Sequence, residues 1–178
     1  MNVLKQLYLT SDYHDKSGMI FNTDCMELMS SIKQGGVFDV TLTDIPYSEV
    51  NRKDNGLRNL DKSNADILTF DIKTFLEETY RLTKGTIIIF CGNEQYSTIY
   101  SFFNEKSKQN LGTTRQIIWH KTNPSPMNGQ HIYLSATENA VWFKKRGATF
   151  NAHIMYSTLQ QDVVKYIQPK RTTNYLKI

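Results

Sequence analysis

Phe38-Asp39-Val40-Thr41-Leu42-Thr43-Asp44-Ile45-Pro46-Tyr47 joins a β-rich, mostly apolar run to an abrupt stop made of an acid, a proline and an aromatic ring. The run suits a strand buried in a sheet. Pro46 fixes its own φ and drives Ile45 towards an extended backbone, so the turn after the strand is stiff. Open α/β sheets place their ligands at the carboxyl ends of strands, which is where Asp44 and Tyr47 stand. A carboxylate and backbone carbonyls accept hydrogen bonds from a flat amine, and a tyrosine can cover the ring that bears it. Taken alone, the stretch also fits an ordinary Asp-x-Pro turn at the end of a strand.

The flanking sequence extends the α/β pattern. Upstream, Met19-Ile20-Phe21-Asn22 reads as a short strand, and Cys25 to Ile32 has helical spacing behind a Thr23 or Asp24 cap, with Gly35-Gly36 as its end. Downstream, Asp71 to Leu82 has the apolar spacing of a helix, closed by Gly85. Thr86-Ile87-Ile88-Ile89-Phe90-Cys91 is a continuous apolar run, as expected of a parallel strand covered on both faces. Tyr96 to Phe103 reads as a helix, Thr113 to His120 as a strand, Lys121 to Gly129 as a proline-containing loop, and Glu138 to Lys144 as a last strand turned by Lys145-Arg146-Gly147. Together these predict an α/β fold: a Rossmann-like, mostly parallel sheet with an antiparallel hairpin at its edge. Residues 1–17 read as a lead-in arm. The polar stretch 48–66 reads as a mobile loop that either serves the adjoining site or is a plain surface excursion.

Composition narrows the class. At 178 residues the chain has the length of one domain with a real core, and 39% hydrophobic residues fit a folded protein. No apolar run approaches the roughly 20 residues of a membrane helix, and the N-terminus lacks a signal-like segment, so the chain reads as cytoplasmic. A net charge of +4 permits nucleic-acid binding without demonstrating it. The two cysteines, Cys25 and Cys91, suggest no disulfide framework and are expected in the core, as are Trp119 and Trp142. The histidines are scattered without ligand spacing, so no metal is assigned.

Asp44-Ile45-Pro46-Tyr47 resembles the Asp-Pro-Pro-Tyr signature of amino-group DNA methyltransferases, which methylate adenine N6 or cytosine N4. Isoleucine replaces the first proline. The surrounding segments are similar to that family in the same order: Asn22-Thr23-Asp24-Cys25 upstream, Thr86 to Gly92 as the next strand, Gln116 to Pro124 as the Trp-x-Lys strand and loop, and Glu138 to Lys144 as the closing hairpin strand. The resemblance covers roughly residues 18 to 150. It implies S-adenosylmethionine as cofactor and DNA as partner, with Asp44, Ile45, Pro46 and Tyr47 catalytic. Asp24 and Cys25 would face the cofactor, with a capping role for Asp24 as the plainer alternative. Ser48, Arg52, Lys53, Lys121 and Asn123 would face DNA, although solvent exposure alone also explains such residues. Aspartate in the first position of the turn leans towards adenine N6.

The resemblance also implies something missing. The family's glycine-rich cofactor loop comes after the catalytic half, yet none of the nine glycines here forms a Gly-x-Gly. That gap argues against a Rossmann-like nucleotide enzyme of another kind. It also leads one to expect an incomplete methyltransferase fold with an exposed apolar sheet edge, and it puts independent activity in doubt. An interrupted phage or mobile-element gene, a second chain or a homodimer covering the edge, and a non-catalytic DNA-binding or assembly module all fit that expectation.

Overall fold

The computed structural model describes residues 3–47, 68–122 and 136–150. The chain divides into two compact units, Met1–Ala148 and Thr149–Ile178. The elements of the first unit are α1 (Val3–Thr10), β1 (Tyr13–His14), β2 (Met19–Ile20), α2 (Cys25–Ser31), β3 (Phe38–Asp44), α3 (Ile72–Leu82), β4 (Thr83–Cys91), α4 (Asn93–Lys108), β5 (Gly112–His120) and β6 (Thr137–Lys145). The expected loop 48–66 lies outside the described residues.

The principal sheet has the order β3-β4-β6-β5. β3 and β4 are parallel, while β6 runs antiparallel to both β4 and β5. Three of its strands therefore point the same way and β6 runs against them, which is the α/β fold with an antiparallel hairpin at the edge. The structure adds the insertion of β6 between β4 and β5. Strand spacing carries no information on that order. β1 and β2 form a separate small hairpin, so the Met19–Ile20 strand does not join the main sheet.

One face of the sheet is buried against helices. α3 turns Phe75, Leu76, Thr79 and Leu82 inwards, at the spacing that places them on one helical face. Phe75 and Leu76 meet Ile87, Ile89 and Cys91 of β4, Val141 and Phe143 of β6, and Ile99 and Phe103 of α4 in one cluster. The Phe103 and Phe143 rings stack at 5.0 Å. A second cluster joins Leu7 of α1, Ile32 and Leu82, so the expected lead-in arm is largely a docked helix.

Arg81 ties the approaches to β3 and β4 together. Its guanidinium donates to the carbonyls of Met29 and Ile32, at 2.9 and 2.7 Å, and pairs with Glu78. The partnership holds the Glu78 carboxyl below its ordinary value, against a smaller opposing effect of burial.

Two glycines act differently from the sequence expectation. α2 ends at Ser31, before Gly35-Gly36, and Gly36 instead takes a φ of +63° and donates to the Arg81 carbonyl. Gly85 does not close α3, which passes straight into β4 at Thr83. It lies inside the strand beside an irregularity in β3 between Phe38 and Val40, where a Cβ would run into the Asp39 carbonyl.

Candidate active site

Asp44 is the last residue of β3, paired in register with Phe90 of β4. The chain then leaves the sheet through Ile45, whose N–H donates to the Phe90 carbonyl at 3.2 Å and whose side chain is buried in the main core cluster. A proline at this position would have no N–H to donate. The isoleucine thus exchanges the stiffness of a ring for a ladder hydrogen bond and a core anchor, and the turn stays fixed.

The turn is also held from the far side. The Pro46 carbonyl accepts a hydrogen bond from the Gln95 side-chain amide at 2.8 Å, and the other end of that amide accepts from the Gly92 N–H at 2.9 Å. Gly92 lies against Tyr47: a Cβ there would sit 3.4 Å from the Tyr47 Cβ, in ordinary van der Waals contact. Tyr47 is half-buried, and its hydroxyl is buried with no acceptor in hydrogen-bonding geometry. Burial raises the phenol pKa, and the nearby Asp44 charge raises it further. The two groups are close neighbours, and the hydroxyl has no hydrogen-bond partner. The phenol is therefore neutral at physiological pH. Burial, followed by the Asp44 charge, pushes the Cys91 thiol up to about 11, so it too is neutral.

Asp44 itself is exposed and stands in no ion pair among those described. It lies at a cleft of about 430 Å³ whose lining includes Cys25 and Met29 of α2, Ile45 and Pro46 of the turn, and Phe70 and Phe75 near α3. The Thr79 hydroxyl, in the same lining, is buried without a partner. A larger cleft of about 570 Å³, between α1 and α2, contains none of the residues expected at the site.

The other expected residues divide. Asp24 caps α2, its carboxylate accepting from the Met26 and Glu27 N–H groups at 2.8 and 3.2 Å. Cys25 is exposed, contrary to a core role, because it is the first residue of α2 and lines the open cleft; Cys91 does enter the core. Burial against the cleft wall and the Asp24 charge raise the Cys25 pKa. Trp119 is 53% exposed and so is also not a core residue: it lies on the sheet face without a described helix, edge-on to Phe90. Trp142 is half-buried. Lys121 pairs with Glu138 and lies over the Trp119 ring, so its ammonium already has partners. Ser48, Arg52, Lys53 and Asn123 lie outside the described residues. Gln95 escaped the sequence reading; its place three residues into a helix that starts at Gly92 was the available signal, since a glutamine there often reaches back to the cap.

Residues 38–178 match a family described as DNA methylase, of the N6/N4 type. The type II methyltransferase M2.DpnII of Streptococcus pneumoniae is 24% identical over 166 residues, covering 86% of this chain and 60% of that protein. The crystal structure of the M1.HpyAVI–SAM complex superposes with a TM-score of 0.51 and 25% identity, over 73% of this chain and 56% of that one. A further structure of M1.HpyAVI gives the same score over 72% and 56%. The chain thus spans about 60% of the length of the curated relative it matches. With the family match beginning at the first residue of β3 and running through the Asp44–Tyr47 turn, this chain belongs to the amino-group (N6/N4) DNA methylases.

Proposed function

We propose that the chain carries the catalytic turn for methyl transfer from S-adenosylmethionine to the exocyclic amine of a base flipped out of DNA, adenine N6 rather than cytosine N4. The observation that carries the reading is an exposed carboxylate at a cleft, followed by a peptide held on both sides. Ile45 is bonded to Phe90, and Pro46 is bonded to Gln95. An exocyclic amine is a poor nucleophile because its lone pair is delocalised into the ring. Asp44 accepts a hydrogen bond from one amine proton and the Ile45 carbonyl from the other, which draws the nitrogen towards tetrahedral geometry and frees the lone pair. Tyr47, neutral and packed on Gly92, covers the base. As the new N–C bond formed, the methyl carbon's bond to sulfur would break with its electron pair left on sulfur, and the surplus proton on nitrogen would leave through Asp44.

The cofactor's contribution is an electrophilic methyl group on a positively charged sulfur. The cleft suits such a group: its volume falls within the range of small-molecule sites, its walls are apolar, Asp44 supplies a negative charge, and the orphaned Thr79 hydroxyl awaits a partner. Cys25, Met29 and Phe70 are the residues that would hold it. No Gly-x-Gly loop is present in the 178 residues to cradle its methionine and ribose, so full affinity calls for further protein.

The test is labelled methyl transfer to mixed-sequence DNA, followed by a digest to identify the modified base. Asp44→Ala should lower transfer by about a thousandfold while DNA binding survives. Unchanged transfer in the variant would overturn the reading.

A second reading has one observation in its favour. Val40 and Leu42 are 57% and 66% exposed on β3, which ends the sheet among the described residues. Such a surface suits a second chain or a second copy of this one, and an assembly or DNA-binding module without methyl transfer would use it. Salt-sensitive DNA binding unaffected by Asp44→Ala, with no transfer by either protein, would favour that module.

A further inference from the structure

Gln95 is 3% exposed, with its whole side chain sunk between the start of α4 and the turn after β3. Both ends of its amide are used. Oε1 accepts from the Gly92 N–H at 2.9 Å, and Nε2 donates to the Pro46 carbonyl at 2.8 Å. One planar group thus joins two segments 49 residues apart in the chain. It needs an acceptor on one side and a donor on the other. Among side chains of this length only glutamine carries both without a charge.

The position of this bond matters more than its number. On one side of the Ile45–Pro46 peptide, the Ile45 N–H is bonded to the Phe90 carbonyl of β4. On the other, Gln95 holds the Pro46 carbonyl. The Ile45 carbonyl lies between these anchors and has no freedom to swing unless one of them lets go. Here the turn has one proline, and Gln95 is the tertiary contact that stiffens its downstream side.

We propose that Gln95 is a positioning residue for the Asp44–Tyr47 turn: by holding the Pro46 carbonyl it sets the direction of the Ile45 carbonyl that receives the target amine. The structural half of this claim stands on the two hydrogen bonds, and the functional half rests on the methyl-transfer reading above. Gln95 touches no reacting atom. Its effect passes through Pro46.

Gln95→Glu separates its two duties. The introduced carboxylate still accepts from Gly92 but offers no donor to Pro46, and it sets two acceptors against each other. Gln95→Met removes both bonds at similar volume. Amide hydrogen exchange on the full chain reads the difference at two N–H groups, those of Ile45 and Gly92. In Gln95→Glu the Ile45 amide should exchange about tenfold faster while Gly92 stays protected, and in Gln95→Met both should speed up. The Ile99 and Phe103 amides of α4 report whether the fold is intact.

In the transfer assay, Gln95→Glu should lower kcat by about 10- to 100-fold with KM for S-adenosylmethionine unchanged. An Ile45 amide as protected in Gln95→Glu as in the parent overturns the proposal. So does a joint loss at Ile45 and Gly92 in Gln95→Glu, which would make Gln95 simple packing. Absence of transfer by the parent chain instead defeats the methyl-transfer reading, and the exchange pattern still decides whether Gln95 holds the turn.

Discussion

β3 and β4 lie side by side in parallel, paired from Phe38 and Thr83 to Asp44 and Phe90, and both are rich in β-branched residues. Their surroundings differ by neighbour and by face. Ile87 and Ile89 of β4 turn to the helical layer and are fully buried, whereas Val40 and Leu42 of β3 turn to the opposite face and stand largely in solvent. β4 has a strand on each side and helices over one face, while β3 is paired on one side only among the described residues. The inner strand supplies rigidity. The outer one spends that rigidity on the site, since its last residue is Asp44 and its continuation is bonded back to β4. A turn can be held firmly at the end of a strand paired on one side among the described residues when its anchors lie in the neighbour.

Substitutions on either strand test this division of labour. The largest effect on stability should come from Ile89→Ala, which opens a cavity between β4 and the helical layer. About 3 kcal/mol should be lost in urea denaturation, and a loss below 1 kcal/mol would show that β4 is not the structural spine. Gly85→Ala forces a Cβ against the Asp39 carbonyl at the irregular point where the two strands meet. A cost of about 2 kcal/mol is expected by the same measurement, and a neutral result would mean that β3 shifts freely there.

Glu78→Gln tests the clamp through which Arg81 joins the approaches to the two strands. Because the folded Glu78 pKa is lowered, the stability it contributes is fully present above its ordinary value of 4.5 and is lost as pH falls through the folded value. Thermal melts should therefore show a deficit of about 1 kcal/mol at neutral pH that vanishes in acid. Leu42→Ser should change the stability of the isolated chain by less than about 0.5 kcal/mol, because the side chain is already in water. A larger loss that grows on dilution in analytical ultracentrifugation would mean that another molecule covers the strand.

Much of the site was legible beforehand because its signals are local. A β-rich run ending in Asp-Ile-Pro-Tyr needs no tertiary information to read as a strand with a stiff turn. The helical spacing of Phe75, Leu76, Thr79 and Leu82 places them on one face whatever they touch. Gly85 misled for a physical reason: a glycine after a helical pattern has the same local look whether it caps the helix or relieves a crowded strand. Trp119 misled as well, since burial depends on what lies above a sheet face, and a strand sequence does not say whether its face is covered.

The elements, their order along the chain, the acid, carbonyl and tyrosine of the turn, and the want of a glycine-rich loop were all written in the amino-acid order. Each follows from backbone preference or side-chain chemistry acting over a few neighbouring residues. The insertion of β6 between β4 and β5, the pairing of β3 with β4, and the reach of Gln95 across to Pro46 emerged only on folding. Those outcomes depend on contacts between segments far apart in the chain, where the energy of packing and of pairing buried polar groups chooses among arrangements that local preference leaves equal.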